Sequence, residues 1–200
     1  MKRFIETCKK KPRTLAVAVA LLVSYLFYFY ASSTLTQSYQ DSLFPVPYYE
    51  AQMSFDADKI KGWYAFLIEH NTFDKYLYTQ HIDFIFMVSV LLLHFFALLL
   101  VSRLFPSASR WRTGFIVCAI VSSLAPIADA LENLVSYIML ADPLQFPAYL
   151  VYIYSSFAVL KFSMFVFAYA AFGIGLVAAF MFHAYGLVQS YIKRGNPANH

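Results

Sequence analysis

Four apolar stretches, each long enough to cross a bilayer as helix, dominate the chain and leave little room for any other kind of fold. About 20 consecutive apolar residues suffice to span the hydrocarbon. The stretches fall at about 14–31, 82–101, 113–140 and 157–188. Composition agrees, with 60% hydrophobic and 13% charged residues, where a soluble domain carries about twice that charged fraction. The 16 tyrosines and 21 phenylalanines against 6 glycines exclude low-complexity disorder. Nothing resembles a linker, so residues 1–200 read as a single membrane unit.

The net charge of +4 does not point to nucleic acid, because the basic residues flank the apolar stretches instead of forming a patch. Eleven Lys and Arg fall on one side, from Lys2–Arg13, Arg103–Arg112, Lys193 and Arg194, whereas only Lys59, Lys61 and Lys75 fall on the other. The positive-inside rule then puts both termini in the cytoplasm. A cleaved signal peptide is the competing reading of the first stretch. The bulky run Tyr25–Tyr30 favours a retained anchor, since signal peptidase prefers small residues. Cys8 in the basic tail and Cys118 in an apolar run suggest neither a disulfide nor a metal site. Cys8 is a candidate for acylation near the membrane surface, and no cofactor is indicated.

Segment 32–81 is expected outside. It opens on Ser, Thr and Gln, turns at "FPVPYYE", and contains Ser54 and Asp56, either of which can cap a helix. Ile60, Trp63, Tyr64 and Leu67 recur at helical spacing, which predicts a short amphipathic helix on the outer surface or over the bundle mouth. A second helix is expected to start near Asn71 or Thr72 and run directly into the second span. The segment "ADPLQFPAYLVYIYSS" reads as interfacial structure, with prolines that interrupt helix.

The informative residues are polar ones within the spans. In the third, Cys118, Ser122, Ala125, Asp129 and Asn133 share one face at 100° per residue, with Glu132 at its edge. Asp83 and His94 share a face of the second span, and Lys161 shares one with the small residues Ala168, Gly175 and Ala179 of the fourth. Small residues mark close helix packing, so Lys161 faces protein. At about 1.5 Å per residue, Asp83 lies about 30 Å from Arg103, and Asp129 and Glu132 lie about 26 and 30 Å from Arg112. Lys161 lies about 33 Å from His183. All four charges reach one level near the outer edge, with His81 and Asn133, while His94 sits nearer the midplane.

Three carboxylates against one lysine is an unbalanced set in low dielectric. Three readings follow. The charges fix helix register, as in a non-catalytic accessory subunit with a membrane-protein partner. Or they line an outer-leaflet pocket for a membrane lipid or other hydrophobic small molecule, with Lys161 meeting an anionic headgroup and Asp129 or Glu132 orienting it or acting in acid–base chemistry. Or they serve proton or ion translocation, through His94. Ligand-binding candidates are Asp83, Asp129, Glu132, Asn133, Lys161, His81 and Tyr137, followed by His94 and Ser122.

Around "PIADALENL" the chain resembles a group of small bacterial four-span membrane proteins that carry a D-x-x-E-N element in the third span. The likeness extends to "YTQHIDF" at the start of the second span and to Lys161 in the last. It implies a bacterial inner-membrane protein and brings no activity with it. In architecture alone the chain is also similar to the four-span sterol isomerase and sigma-2 receptor superfamily, which places acids in a lipid-accessible pocket. The resulting expectation is an all-α integral membrane protein, a four-transmembrane-helix bundle with an extracytoplasmic helical cap between spans one and two.

Overall fold

A computed structural model describes residues 2–195, with side chains through Tyr191; the side chains of Lys193 and Arg194, assigned above to the basic side, lie outside that range. The described residues are 84% helix with no strand. Eight helices follow in order: α1 (Lys2–Lys10), α2 (Thr14–Asp41), α3 (Tyr48–Gln52), α4 (Ala57–Glu69), α5 (Phe73–Arg103), α6 (Arg110–Ser122), α7 (Ala125–Ala141) and α8 (Tyr149–Gly195). Helices α2, α5, α6 with α7, and α8 are long and apolar enough to cross a membrane.

Three boundaries differ from the sequence reading. Helix α8 begins at Tyr149, inside the segment 141–156 read as proline-interrupted interfacial structure, because Pro143 and Pro147 both precede it. Residues 32–41 are helical, although they were expected to open the loop. The Ser38 and Thr79 hydroxyls bond at 2.7 Å, and the Tyr39 hydroxyl donates to the Val46 carbonyl at 2.8 Å. Packing against α5 thus carries a polar sequence on as helix, tertiary contact overriding local preference. The third span, expected as one straight helix over 113–140, breaks between Ser122 and Ala125. Pro126 has no N–H for the Ser122 carbonyl, and its ring crowds that same group. The chain responds with tight bonds from Ser123 N to Ile120 O and from Leu124 N to Val121 O. The polar stripe drawn straight from Cys118 to Asn133 is therefore bent in the middle.

Helix α4 forms as expected and selects Asp56 as its cap, whose carboxylate accepts from the amides of Asp58 and Lys59 at 3.1 Å each. Its stripe of Ile60, Tyr64 and Leu67 is buried against Met139, Val151 and Tyr154. Helix α4 thus packs on residues of α5, α7 and α8. Burial pushes the Tyr64 phenol well above its ordinary range, so it remains neutral in this core. Helix α5 begins at Phe73, directly after Thr72, and continues without interruption.

The opposite end is closed by two arginines. Arg103 donates to the carbonyls of Cys8 and Lys9 at 2.6 and 2.8 Å, and Arg112 donates to Lys9 at 2.6 Å. These are carbonyls that the end of α1 leaves without helical partners. Cys8 is buried against Val17, Leu99 and Ile116, so its thiol is not presented for acylation. Near this end Gly175 of α8 lies against Val101 and Phe115 so closely that a Cβ would collide with both. Neither neighbour yields easily, since Val101 is β-branched and the Phe115 ring is stacked on Phe105. Gly175→Val should destabilise the bundle by about 1–3 kcal/mol, measured as a lowered melting temperature of the detergent-solubilised protein, whereas Gly173→Val, with open space at its Cβ position, should not.

Candidate functional site

Helix α7 carries Asp129, Glu132 and Asn133, spaced so that i, i+3 and i+4 share one face. That face is buried, with Asp129 at 2%, Glu132 at 0% and Asn133 at 1% exposure. Helix α8 packs along α7 and brings in Lys161, whose Nζ lies 2.9 Å from Asp129 Oδ1 and 2.5 Å from Glu132 Oε2. Lys161 also donates to Gln52 Oε1 at 3.2 Å. An ammonium has three protons, and three acceptors surround it. Asp83 of α5 lies outside this triad and accepts from Asn133 Nδ2 at 2.7 Å. Helix α7 thus holds a lysine-centred triad and a carboxylate–carboxamide pair side by side.

Asp129 and Lys161 of the triad and Asp83 of the pair form one wall of a cavity of about 490 Å³, while Glu132 and Asn133 are not in its lining. Asp83, Asp129, Lys161 and Gln52 line its polar part, with Gln80 of α5 beside them. Tyr28, Tyr39, Tyr48, Tyr76, Tyr154 and Tyr169 supply an aromatic lining. The space exists because α2 makes its interface with α5, leaving a cleft between α2 and α8 that α3 roofs. Burial raises the Tyr48 phenol on α3, an effect that the nearby Lys161 opposes.

Hydrogen-bonding capacity in this wall is lopsided. Gln80 Oε1 is a buried acceptor without a partner, neither oxygen of Glu132 behind the wall accepts a hydrogen bond, and Asp83 faces the cavity with only Asn133 bonded to it. Lys161 hydrogen-bonds Asp129 and Gln52 and pairs by charge with Glu132. The wall therefore offers acceptors and asks for donors. Chemically, such a wall can hold an ammonium or a hydroxyl-rich group, and a carboxylate among phenols can accept a proton from one.

The structure brings together five of the sequence candidates: Asp83, Asp129, Glu132, Asn133 and Lys161. It sets the others apart. His81 is exposed, bonds the Leu77 carbonyl through Nδ1 and sits edge-on to Tyr137, which itself stacks on Phe84. Neither His81 nor Tyr137 lines the cavity. The Ser122 hydroxyl donates to the Ala119 carbonyl within α6, a purely local bond. His94 is buried elsewhere, in a separate apolar cavity. Lys161, expected to meet an anionic headgroup, lies against the carboxylates of Asp129 and Glu132.

Gln52 and Gln80 were not among the candidates. Gln52 meets Lys161 across 109 positions of sequence, a contact that no local pattern announces. Gln80 is one position from His81, on a helix whose buried face at that level depends on α2 lying beside it. No group of three or more His, Cys, Asp or Glu among the described residues is arranged to hold a metal ion. Comparison with protein-family models, curated protein sequences and solved structures finds no match for this chain.

Removing one member of a buried charge set leaves the others uncompensated, at a cost of about 3–5 kcal/mol. Lys161→Met should lower stability by that order, seen in thermal unfolding of the purified protein. Adding Asp129→Asn and Glu132→Gln to the same chain should restore most of the loss, since no unpaired carboxylate then remains.

Proposed function

We propose that this is a multi-pass membrane protein that binds an amphiphilic small molecule, its polar headgroup in the cavity at Asp83 and its chain against the apolar helices. Both termini are cytoplasmic in this reading and α3 and α4 cap the extracytoplasmic end, supported by the eleven Lys and Arg gathered at the other side of the spans. The cavity then opens toward the outer leaflet through the cleft between α2 and α8. A bacterial cytoplasmic membrane is the location that the D-x-x-E-N resemblance implies.

One observation carries the reading: Lys161 already has two carboxylates and Gln52 against it, while acceptors beside it remain without donors. The headgroup is accordingly a donor, an amine in preference to a phosphate. Tyrosine rings around an ammonium add cation–π attraction, which grows as the site is desolvated. Burying an unpaired carboxylate is costly, so a cationic headgroup at Asp83 gains more than a neutral one. Any acid–base chemistry at this site would run through Asp83, the carboxylate that faces the cavity without an ion-pair partner. A non-catalytic accessory subunit is the second reading, favoured by the complete pairing of Lys161, and under it nothing is retained in the cavity.

Dodecylamine and dodecyl phosphate, titrated into the detergent-solubilised protein by calorimetry, separate these readings. The amine should bind at least tenfold more tightly than the phosphate, and Asp83→Asn should remove that preference while leaving the melting temperature within a few degrees. Equal affinity for the two headgroups, or indifference to Asp83→Asn, would overturn the proposal. Absence of binding by either probe, with no amphiphile seen in native mass spectra of the purified protein, would favour the accessory reading.

A further inference from the structure

A second cavity of about 520 Å³ lies farther along the cleft between α2 and α8, and its walls are almost wholly apolar. Leu21 and Leu22 of α2, Leu93 and Leu98 of α5, and Phe172 of α8 supply the surface, while Ala18, Ala97 and Ala168 leave the room. Two phenols, Tyr25 and Tyr169, also line it, and the one nitrogen base in its wall is His94. It is 5% exposed, it lines the cavity, and neither ring nitrogen has a hydrogen-bond partner.

The immediate surroundings supply no such partner. Phe165 and Tyr169 stand edge-to-face with the imidazole, at 5.7 and 5.2 Å between centroids. An aromatic face can receive an N–H weakly, but it gives no donor to the other nitrogen, which in neutral imidazole is an acceptor. Membrane lipid supplies none either. His94 lies about 14 Å along α5 from Arg103 and about 16 Å from Asp83, which puts it near the middle of the span, where lipid offers only hydrocarbon. A single trapped water would leave the rest of an apolar cavity of about 520 Å³ empty.

We propose that the cavity at His94 is a second ligand site, which takes an apolar molecule carrying a hydroxyl group. A hydroxyl both donates and accepts, so it serves either ring nitrogen in either tautomer. The three alanines give the hydrocarbon body its space, and Tyr169 and Phe172 flank it. Charged headgroups are excluded, because nothing in this wall would pair with them. The site is independent of the amine reading at Asp83, with which it shares only Tyr169 among its lining residues.

The test is photolabelling of the full-length, detergent-solubilised protein with hexadecanol bearing a diazirine next to its hydroxyl-bearing end, and with the matching diazirine hexadecane. The alcohol should label peptides around Leu93–Leu98 and Ala168–Phe172 saturably, and plain hexadecanol should compete where hexadecane does not. His94→Phe should reduce this labelling at least tenfold, whereas His94→Gln, which keeps a donor and an acceptor, should retain most of it. Ala97→Phe fills the cavity with His94 intact and should also abolish the labelling, so the test survives if the His94→Phe protein does not fold. Equal labelling by alcohol and hydrocarbon, or undiminished labelling in Ala97→Phe, would overturn the proposal. Asp83→Asn should leave labelling here unchanged, so failure at this site and failure of the amine reading are read separately.

Discussion

The burial of Lys161 among Asp129, Glu132 and Gln52 is the constraint on which the rest of the structure depends. An ammonium in low dielectric is tolerable only with close counter-charges and every proton bonded. Two partners come from α7 and one from α3, so a single side chain of α8 fixes the register of α7 against α8 and docks the cap segment onto both. Asn133, one position beyond Glu132, extends the same network to Asp83 on α5. Movement of any of these helices along its axis would break at least one charge-assisted bond.

With α5, α7 and α8 held this way, α2 becomes the variable element. It packs along α5, through the Ser38–Thr79 bond and the aromatic cluster of Tyr39, Phe44 and Tyr76. It does not close onto α8, and two cavities fill the resulting cleft. They differ in kind. One is rimmed by carboxylates, carboxamides and phenols, and the other is apolar apart from one imidazole and two phenols. A cleft that is polar near the cap and apolar deeper in matches the gradient of an amphiphile, which is the physical basis for reading it as a binding groove.

Much of the fold was legible because it follows from periodicity and punctuation. The apolar runs announce four spans, Asp56 announces the start of α4, and Ile60, Tyr64 and Leu67 announce its buried face. Pro126 was equally visible, yet its effect was missed, since proline inside a membrane helix can be accommodated without a break when neighbours satisfy the freed carbonyl. The depth count along each helix put Asp83, Asp129, Glu132 and Lys161 at one level, and they do meet. His81 and Tyr137 reach the same level on the wrong side of α5 and α7, a distinction of angle that depth cannot make.

From the sequence alone came the class of fold and the imbalance of three carboxylates to one lysine, because both are properties of composition and rise per residue. Only the tertiary structure decided which carboxylate faces a cavity without an ion-pair partner. That depends on Gln52 arriving from α3 beside Lys161, and on α2 standing away from α8. Both are consequences of packing between segments far apart in the chain, where local pattern carries no information.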